Sequence, residues 1–435
     1  MTDWISAPSG PLHGEVRVPG DKSISHRAIM LAALAEGTTQ IEGFLEGEDT
    51  RATARAFAQM GVRIEAPRAS ARVVHGVGLH GLRAPNALID CGNAGTGMRL
   101  LTGVLAGQQF DTTLIGDESL SRRPMRRVIE PLTRMGAKIE ANEGGLPPLR
   151  ICGKRTLCGI DYELPVASAQ VKSALLLAGL YANGETRVRE PHPTRDYTER
   201  MLTAFGWPLD FSPGWAKLSG GHRLRATDIH VPADFSSAAF FLVAATLVPG
   251  SELLLRDVGM NPRRIGLLHA LRAMGADITE ANPRTLSGEP VADLRVRAAL
   301  LHGIDVPIEL APDMIDEFPI LFVAAAAASG KTLISGAAEL RVKESDRIAV
   351  MAKGLRALGA RIEETADGAI IKGGSFVGAE VDAAGDHRCA MSFVVAGLRA
   401  RDPVRIEDCA NVATSFPGFQ ELANSCGFAL RDPVG

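Results

Sequence analysis

The sequence predicts an α/β protein built from six repeated units grouped into two domains. Three observations carry that prediction: a recurring pair of helices of unequal character, an apolar β-rich run between them, and a glycine closing every second helix. The closing glycines are Gly61, Gly136, Gly206, Gly275, Gly359 and Gly427, at the ends of AFAQMG, PLTRMG, LTAFG, LRAMG, LRALG and LANSCG. They lie roughly 70 to 85 residues apart, too far for a simple solenoid unit. Each stands where a helix calls for a left-handed C-terminal residue, and an apolar strand follows.

The first helix of each unit reads SHRAIMLAALAEG, GTGMRLLTGVLAGQ, SAQVKSALLLAGL, DFSSAAFFLVAATLVPG, DEFPILFVAAAAASG and CAMSFVVAGLRA in chain order. These runs are apolar on nearly every face, so they must be buried by neighbouring helices, and none reaches the ~18 residues of a membrane span. After them come TTQIEGF, DTTLIGD, ETRVREP, SELLLRDV, KTLISGA and PVRIED, whose branched and alternating residues predict strands. The unit is therefore strand, buried helix, strand, exposed helix, strand. Coincidental likeness among Leu-rich helices would explain any two copies, but not six in one order.

With 435 residues, the six units divide most simply into two groups of three. The chain would cross between groups near Gly20/Asp21, after PLHGEVRVPG, and return near Asp234 in VPADFSS. This predicts an inserted domain over 20–234 and a second domain formed by 1–19 together with 235–435. Those crossing points would be hinges, and the cleft between domains would hold the active site.

A net charge of −3, without a Lys/Arg run, argues against a nucleic-acid binder acting through bulk charge. The N-terminus MTDWISAPSG does not read as an export signal, and the six cysteines form no CxxC or Cys/His metal pattern. A cytoplasmic protein with reduced thiols, no structural zinc, no membrane association and a monomeric state is expected.

The informative charges sit at loop-to-helix junctions. GDKSISHR places Lys22, Ser23 and Arg27 at a helix start, where unpaired N–H groups suit a phosphate or carboxylate. CGNAGTGMR brings Gly92, Gly95 and Gly97, which let backbone approach a ligand. SLSRRPMRR holds Arg122 and Arg123 before Pro124, a residue suited to a first helical turn. SAQVK supplies Ser168, Gln170 and Lys172; LRVKESDR supplies Lys343, Glu344 and Arg347; GDHRCAMS supplies Asp386, His387 and Arg388. Singly, each has a plain explanation as a cap or a solvated charge, and Lys343 and Arg347 could share one exposed helix face. Because the repeat puts these junctions at equivalent helix ends, they can converge on one cleft whose cations suit a polyanionic ligand.

Taken together, GDKSISHR, CGNAGTGMR, SRRPM, SAQVKSALLLAGL, MIDEFP, LRVKESDR and DHRCAMSF resemble the 5-enolpyruvylshikimate 3-phosphate synthase family, in order from Gly20 to Phe416. SAQVK and NPRR are similar to its class II bacterial type. The resemblance implies a two-domain inverse α/β barrel of six βαβαββ-type units, with helices inside and strands outside. It also implies transfer of the enolpyruvyl group of phosphoenolpyruvate to the 5-hydroxyl of shikimate 3-phosphate, with release of phosphate, on the way to chorismate and the aromatic amino acids. Addition and elimination through a tetrahedral intermediate would need neither metal nor organic cofactor.

By the same resemblance, shikimate 3-phosphate would meet Lys22, Ser23, Arg27, Ser168, Ala169, Gln170, Arg195, Asp316 and Lys343. Phosphoenolpyruvate would meet Lys22, Gly95, Arg123, Gln170, Arg347 and Arg388. Asp316 would take the hydroxyl proton and Glu344 would serve the methylene carbon, with Lys22 assisting. Two carboxylates amid cations suit that division of labour if their environments separate their pKa values.

Thr414 stands where the other bacterial class has Lys, and Tyr197 where class II usually has His. Gly95 stands where glyphosate-tolerant members carry Ala, which leads to an expectation of greater glyphosate sensitivity. The alternative within the fold is the enolpyruvyl transferase acting on UDP-N-acetylglucosamine, but its usual loop Cys is missing from GDESLSRRPM. A non-catalytic anion-binding scaffold is the alternative outside it, and the two carboxylates set among cations argue against that.

Overall fold

The computed structural model describes residues 2–433; residues 1, 434 and 435, at the outermost domain ends, lie outside them. The chain forms two compact units. One comprises the residues up to Pro19 with Pro232–Arg284 and the stretch from Pro290 onward; the other comprises Gly20–Val231 with Thr285–Glu289.

All six first helices form, at Lys22–Leu34, Gly95–Ala106, Ala169–Gly179, Phe235–Leu247, Phe318–Ala327 and His387–Gly397. Their uniform apolarity has the expected consequence: every residue of Phe235–Leu247 is buried, and so are all of Phe318–Ala326. Three such helices make the centre of each unit. Gly103 shows how closely they approach, because a Cβ there would lie 2.2 Å from the carbonyl oxygen of Ala174 on the neighbouring helix. No described helix is long and apolar enough to cross a membrane.

The second helices run Glu48–Gln59, Arg126–Arg134, Tyr197–Ala204, Gly266–Ala273, Arg347–Ala357 and Phe419–Ser425. Their closing glycines all have positive φ, from 78° at Gly206 to 103° at Gly136, the left-handed stop that the sequence predicts. Pro124 differs from expectation. The helix begins at Arg126, so Pro124 belongs to the preceding loop, while Pro131 lies inside the helix.

Six separate small sheets cover the helices. In one, Ile89–Asp90 pairs in parallel with Thr112–Ile115 across the intervening buried helix, and Leu146–Cys152 and Lys138–Asn142 add antiparallel strands. That is the βαβαββ unit. In another sheet the first strand, Trp4–Ala7, pairs with Val404–Glu407 on one side and Ala429–Arg431 on the other.

Candidate active site

In the unit spanning Gly20–Val231, the expected ligands gather at the N-terminal ends of its three buried helices. Asp21 caps the first, accepting the Ile24 N–H at 2.8 Å, and Ser168 caps the third, accepting from Val171. Hydrogen bonds tie these ends together. Arg27, 3% exposed, donates from Nε to Thr198 Oγ1 (2.7 Å), and its terminal nitrogens donate to the Ser23 carbonyl (2.9 Å) and Ser173 Oγ (2.8 Å). All three acceptors are neutral. Burial and the charge of Arg195 push the Arg27 guanidinium down to about 10, so it stays cationic at neutral pH.

Gln170, the second residue of its helix, accepts from Arg99 at 2.7 Å and donates to Thr96 Oγ1 at 2.8 Å. Gly95 opens the second buried helix, where an added Cβ would sit 3.3 Å from terminal nitrogens of both Arg123 and Arg99. Arg123 donates to Asn93 Oδ1 (2.7 Å) and Ser119 Oγ (3.0 Å), while Lys22 pairs with the buried Asp49. Ser23 and Ala169 occupy the first turns beside Lys22 and Gln170, and Arg195 lies in the loop before helix Tyr197–Ala204.

The other unit repeats the pattern with carboxylates added. Asp234 caps Phe235–Leu247 through the Ser236 and Ser237 N–H groups, and Asp386 caps His387–Gly397 through those of Arg388 and Cys389. Asp316 and Glu317 stand just before Phe318–Ala327. Two guanidiniums bind these ends into one cluster. Arg264 reaches Asp316 at 3.2 Å, Glu317 at 3.3 Å and Ser236. Arg347, 1% exposed, reaches Asp386 at 2.8 Å, Glu344 at 2.6 Å and Asp316 at 3.5 Å.

Burial opposes the charge on Arg347, but its carboxylate partners outweigh that and push its pKa up. Burial would likewise raise the Asp386 carboxyl, and the Arg347 charge holds it below the ordinary range instead. Glu317 goes the other way: burial, with the Asp316 charge adding to it, raises its carboxyl despite Arg264. The two carboxylates expected to move protons, Asp316 and Glu344, thus share Arg347, and Arg388 donates to the Asp316 carbonyl at 3.3 Å.

Carboxylates accompany the junction cations Lys22, Arg347 and Arg388 (3.9 Å from Glu317), which is how low-dielectric surroundings tolerate them. The plain alternative for Lys343 and Arg347, one shared exposed helix face, does not hold. The chain runs as a loop between them, Lys343 pairing with Glu339 at 2.9 Å while Arg347 is buried. Thr414 lies in the short helix Val412–Ser415, its hydroxyl donating to the Asn411 carbonyl.

Sequence reading passed over Asp49, Arg99, Glu317 and the positioning role of Arg264. Arg99 and Arg264 lie inside the strings CGNAGTGMR and NPRR, but spacing alone gives no sign of which carboxylate or amide each would meet. Among the described residues no group of three or more His, Cys, Asp or Glu could hold a metal ion.

The chain is similar to known proteins along most of its length. The model of the family described as EPSP synthase (3-phosphoshikimate 1-carboxyvinyltransferase) matches residues 6–422. A 3-phosphoshikimate 1-carboxyvinyltransferase of Xanthomonas euvesicatoria pv. vesicatoria (strain 85-10) is 65% identical over 428 residues, 98% of this chain and 97% of the relative. One from Xanthomonas campestris pv. campestris (strain B100) is 65% identical over 427 residues, 98% of each chain. The solved EPSP synthase of Acinetobacter baumannii superposes with a TM-score of 0.91 at 51% identity over all of both chains. With six repeated units, buried helices and charged helix starts accounted for throughout its length, this chain belongs to the EPSP synthase family.

Proposed function

We propose that this protein transfers the enolpyruvyl group of phosphoenolpyruvate to the 5-hydroxyl of shikimate 3-phosphate, releasing phosphate, as a cytoplasmic step of the shikimate pathway. The observation that carries the reading is the pair Asp316 and Glu344 held on one buried guanidinium, Arg347, beside Arg388. In this reading Asp316 takes the proton of the attacking hydroxyl as its oxygen bonds to the enol carbon. Glu344 delivers a proton to the methylene, making a methyl, and Lys22 assists. Phosphate then leaves as the methyl proton is removed again, with Arg347, Arg388 and Arg123 countering the charge that grows on it.

The acceptor set is Lys22, Ser23, Arg27, Ser168, Ala169, Gln170, Arg195, Asp316 and Lys343; the phosphoenolpyruvate set is Lys22, Gly95, Arg123, Gln170, Arg347 and Arg388. Arg27 supports the first set, being a buried cation whose hydrogen bonds go to neutral oxygens and which feels Glu199 and Asp21 only through space, so that an incoming anion would add direct counter-charge. The test is phosphate release with phosphoenolpyruvate and either shikimate 3-phosphate or UDP-N-acetylglucosamine. Turnover with the first acceptor, falling by roughly 100-fold or more in Asp316→Asn and Glu344→Gln, is expected. Turnover only with the second, or full activity in both variants, would overturn the reading.

A further inference from the structure

We propose that Lys172 and Glu190 form a buried strut that fixes Arg195 for the phosphate-bearing acceptor, making both of them positioning residues. The proposal rests on the reading of Arg195 as an acceptor ligand given above. Lys172 is 3% exposed on the interior helix Ala169–Gly179, two residues beyond Gln170. Its ammonium lies 2.8 Å from Glu190 at the end of strand Glu185–Arg189, and 2.8 Å from Glu199 in helix Tyr197–Ala204.

A buried ion cluster of this kind is a poor way to gain stability, since apolar side chains of equal volume commonly do as well. What the cluster holds is a loop. All three polar groups of Thr194 engage it: the N–H donates to Glu190 Oε2 at 3.3 Å, the hydroxyl donates to Glu190 Oε1, and the carbonyl accepts from Lys172 Nζ at 3.5 Å. The loop needs such anchoring because Pro191 and Pro193 bring no N–H of their own. On the far side of Arg195, Asp196 is held by Arg200 Nε at 2.8 Å. Arg195 therefore sits between two clamped neighbours, and its charge falls close enough to Arg27 to be felt there.

The experiment is steady-state kinetics on Arg195→Gln, Glu190→Gln and Thr194→Val, each alone and the last two also combined with Arg195→Gln. Thr194→Val removes one hydroxyl from a partly exposed side chain and leaves the buried charges alone, so it reports even where Glu190→Gln folds poorly. Arg195→Gln should raise the KM for shikimate 3-phosphate by about 10 to 100-fold. Glu190→Gln should raise the same constant by about tenfold and Thr194→Val by about threefold, with the KM for phosphoenolpyruvate within twofold. Neither should add to the defect of Arg195→Gln, as expected of residues acting through it. A shifted constant in Arg195→Gln alone, or effects that simply add, would overturn the strut and leave the ligand in place. An unchanged constant in Arg195→Gln would remove the ligand reading and the strut with it.

Discussion

Replacing Asp386 by Asn tests the electrostatics of the carboxylate cluster most directly, because it keeps the shape and removes the charge. Asp386 is fully buried and has two duties: one oxygen caps His387–Gly397, the other accepts from Arg347 Nε at 2.8 Å and from the Ser345 hydroxyl at 3.2 Å. Asn is as good a cap as Asp, so the first duty survives at little cost. The second does not, since an amide N–H would face a guanidinium N–H. Losing a hydrogen bond between charged groups costs about 1.5 to 3 kcal/mol, and stripping a buried ion of its partner about 3 to 5 kcal/mol. Glu344 and Asp316 remain on Arg347, so the lower range applies, about 1.5 to 3 kcal/mol. For a unit of this size that lowers its melting temperature by about 3 to 12 °C. Asp386→Ala also forfeits the cap and should lose about 1 kcal/mol more. Thermal unfolding followed by calorimetry reads both, and phosphate release should fall by about tenfold or more as Arg347 loses its anchor. Equal melting of wild type and Asp386→Asn, with activity unchanged, would refute the reasoning; equal melting of the Asn and Ala variants would refute the capping part.

Asp293 gives a pH prediction. Burial raises its carboxyl, but the Asp257 N–H, the Asn282 amide and Arg256 outweigh that and bring it down from 3.8 to about 2. The folded value lies below the unfolded one, so its contribution of about 2 kcal/mol is complete above about pH 4 and is lost as pH falls toward 2. Denaturation midpoints at pH 5 and pH 2.5 should differ less in Asp293→Asn than in wild type, and an identical difference would count against it. Gly95→Ala should weaken glyphosate inhibition by about tenfold or more while the enzyme stays folded, since the new methyl meets two flexible guanidinium tips at 3.3 Å and the Leu120 Cδ1 at an ordinary contact distance of 3.6 Å; equal inhibition constants would reject this. Tyr197→Phe removes the hydrogen bond to Asp21 Oδ2 at 3.1 Å and should cost about 1 kcal/mol, read as a lowered unfolding midpoint.

Much of this architecture is legible in the sequence because it rests on local signals. An all-apolar run has no solvent side, so the six interior helices follow from composition, and the closing glycines follow from the left-handed stop that Gly accommodates best. The charged strings at helix starts mark where chemistry collects. What a string does not contain is the partner of each charge. Asp49 beneath Lys22 and Arg264 beside Asp316 come from segments tens of residues away, and Glu190 meets Lys172 only once a strand and a helix have packed. Pro124 falls two residues short of the helix start at Arg126, because proline's fixed φ suits a turn before a helix as well as the first turn within it.

The strand Trp4–Ala7 is synthesised some 400 residues before its two neighbours, yet it takes an interior place in its sheet, with Trp4 opposite Ile406 and Ile5 opposite Arg431. Translation therefore imposes an order: the inserted unit can acquire its own three helices while the opening segment still waits for partners made some 400 residues later. Trimming those few N-terminal residues would leave two strands facing an open seam, a template for sticking to other chains.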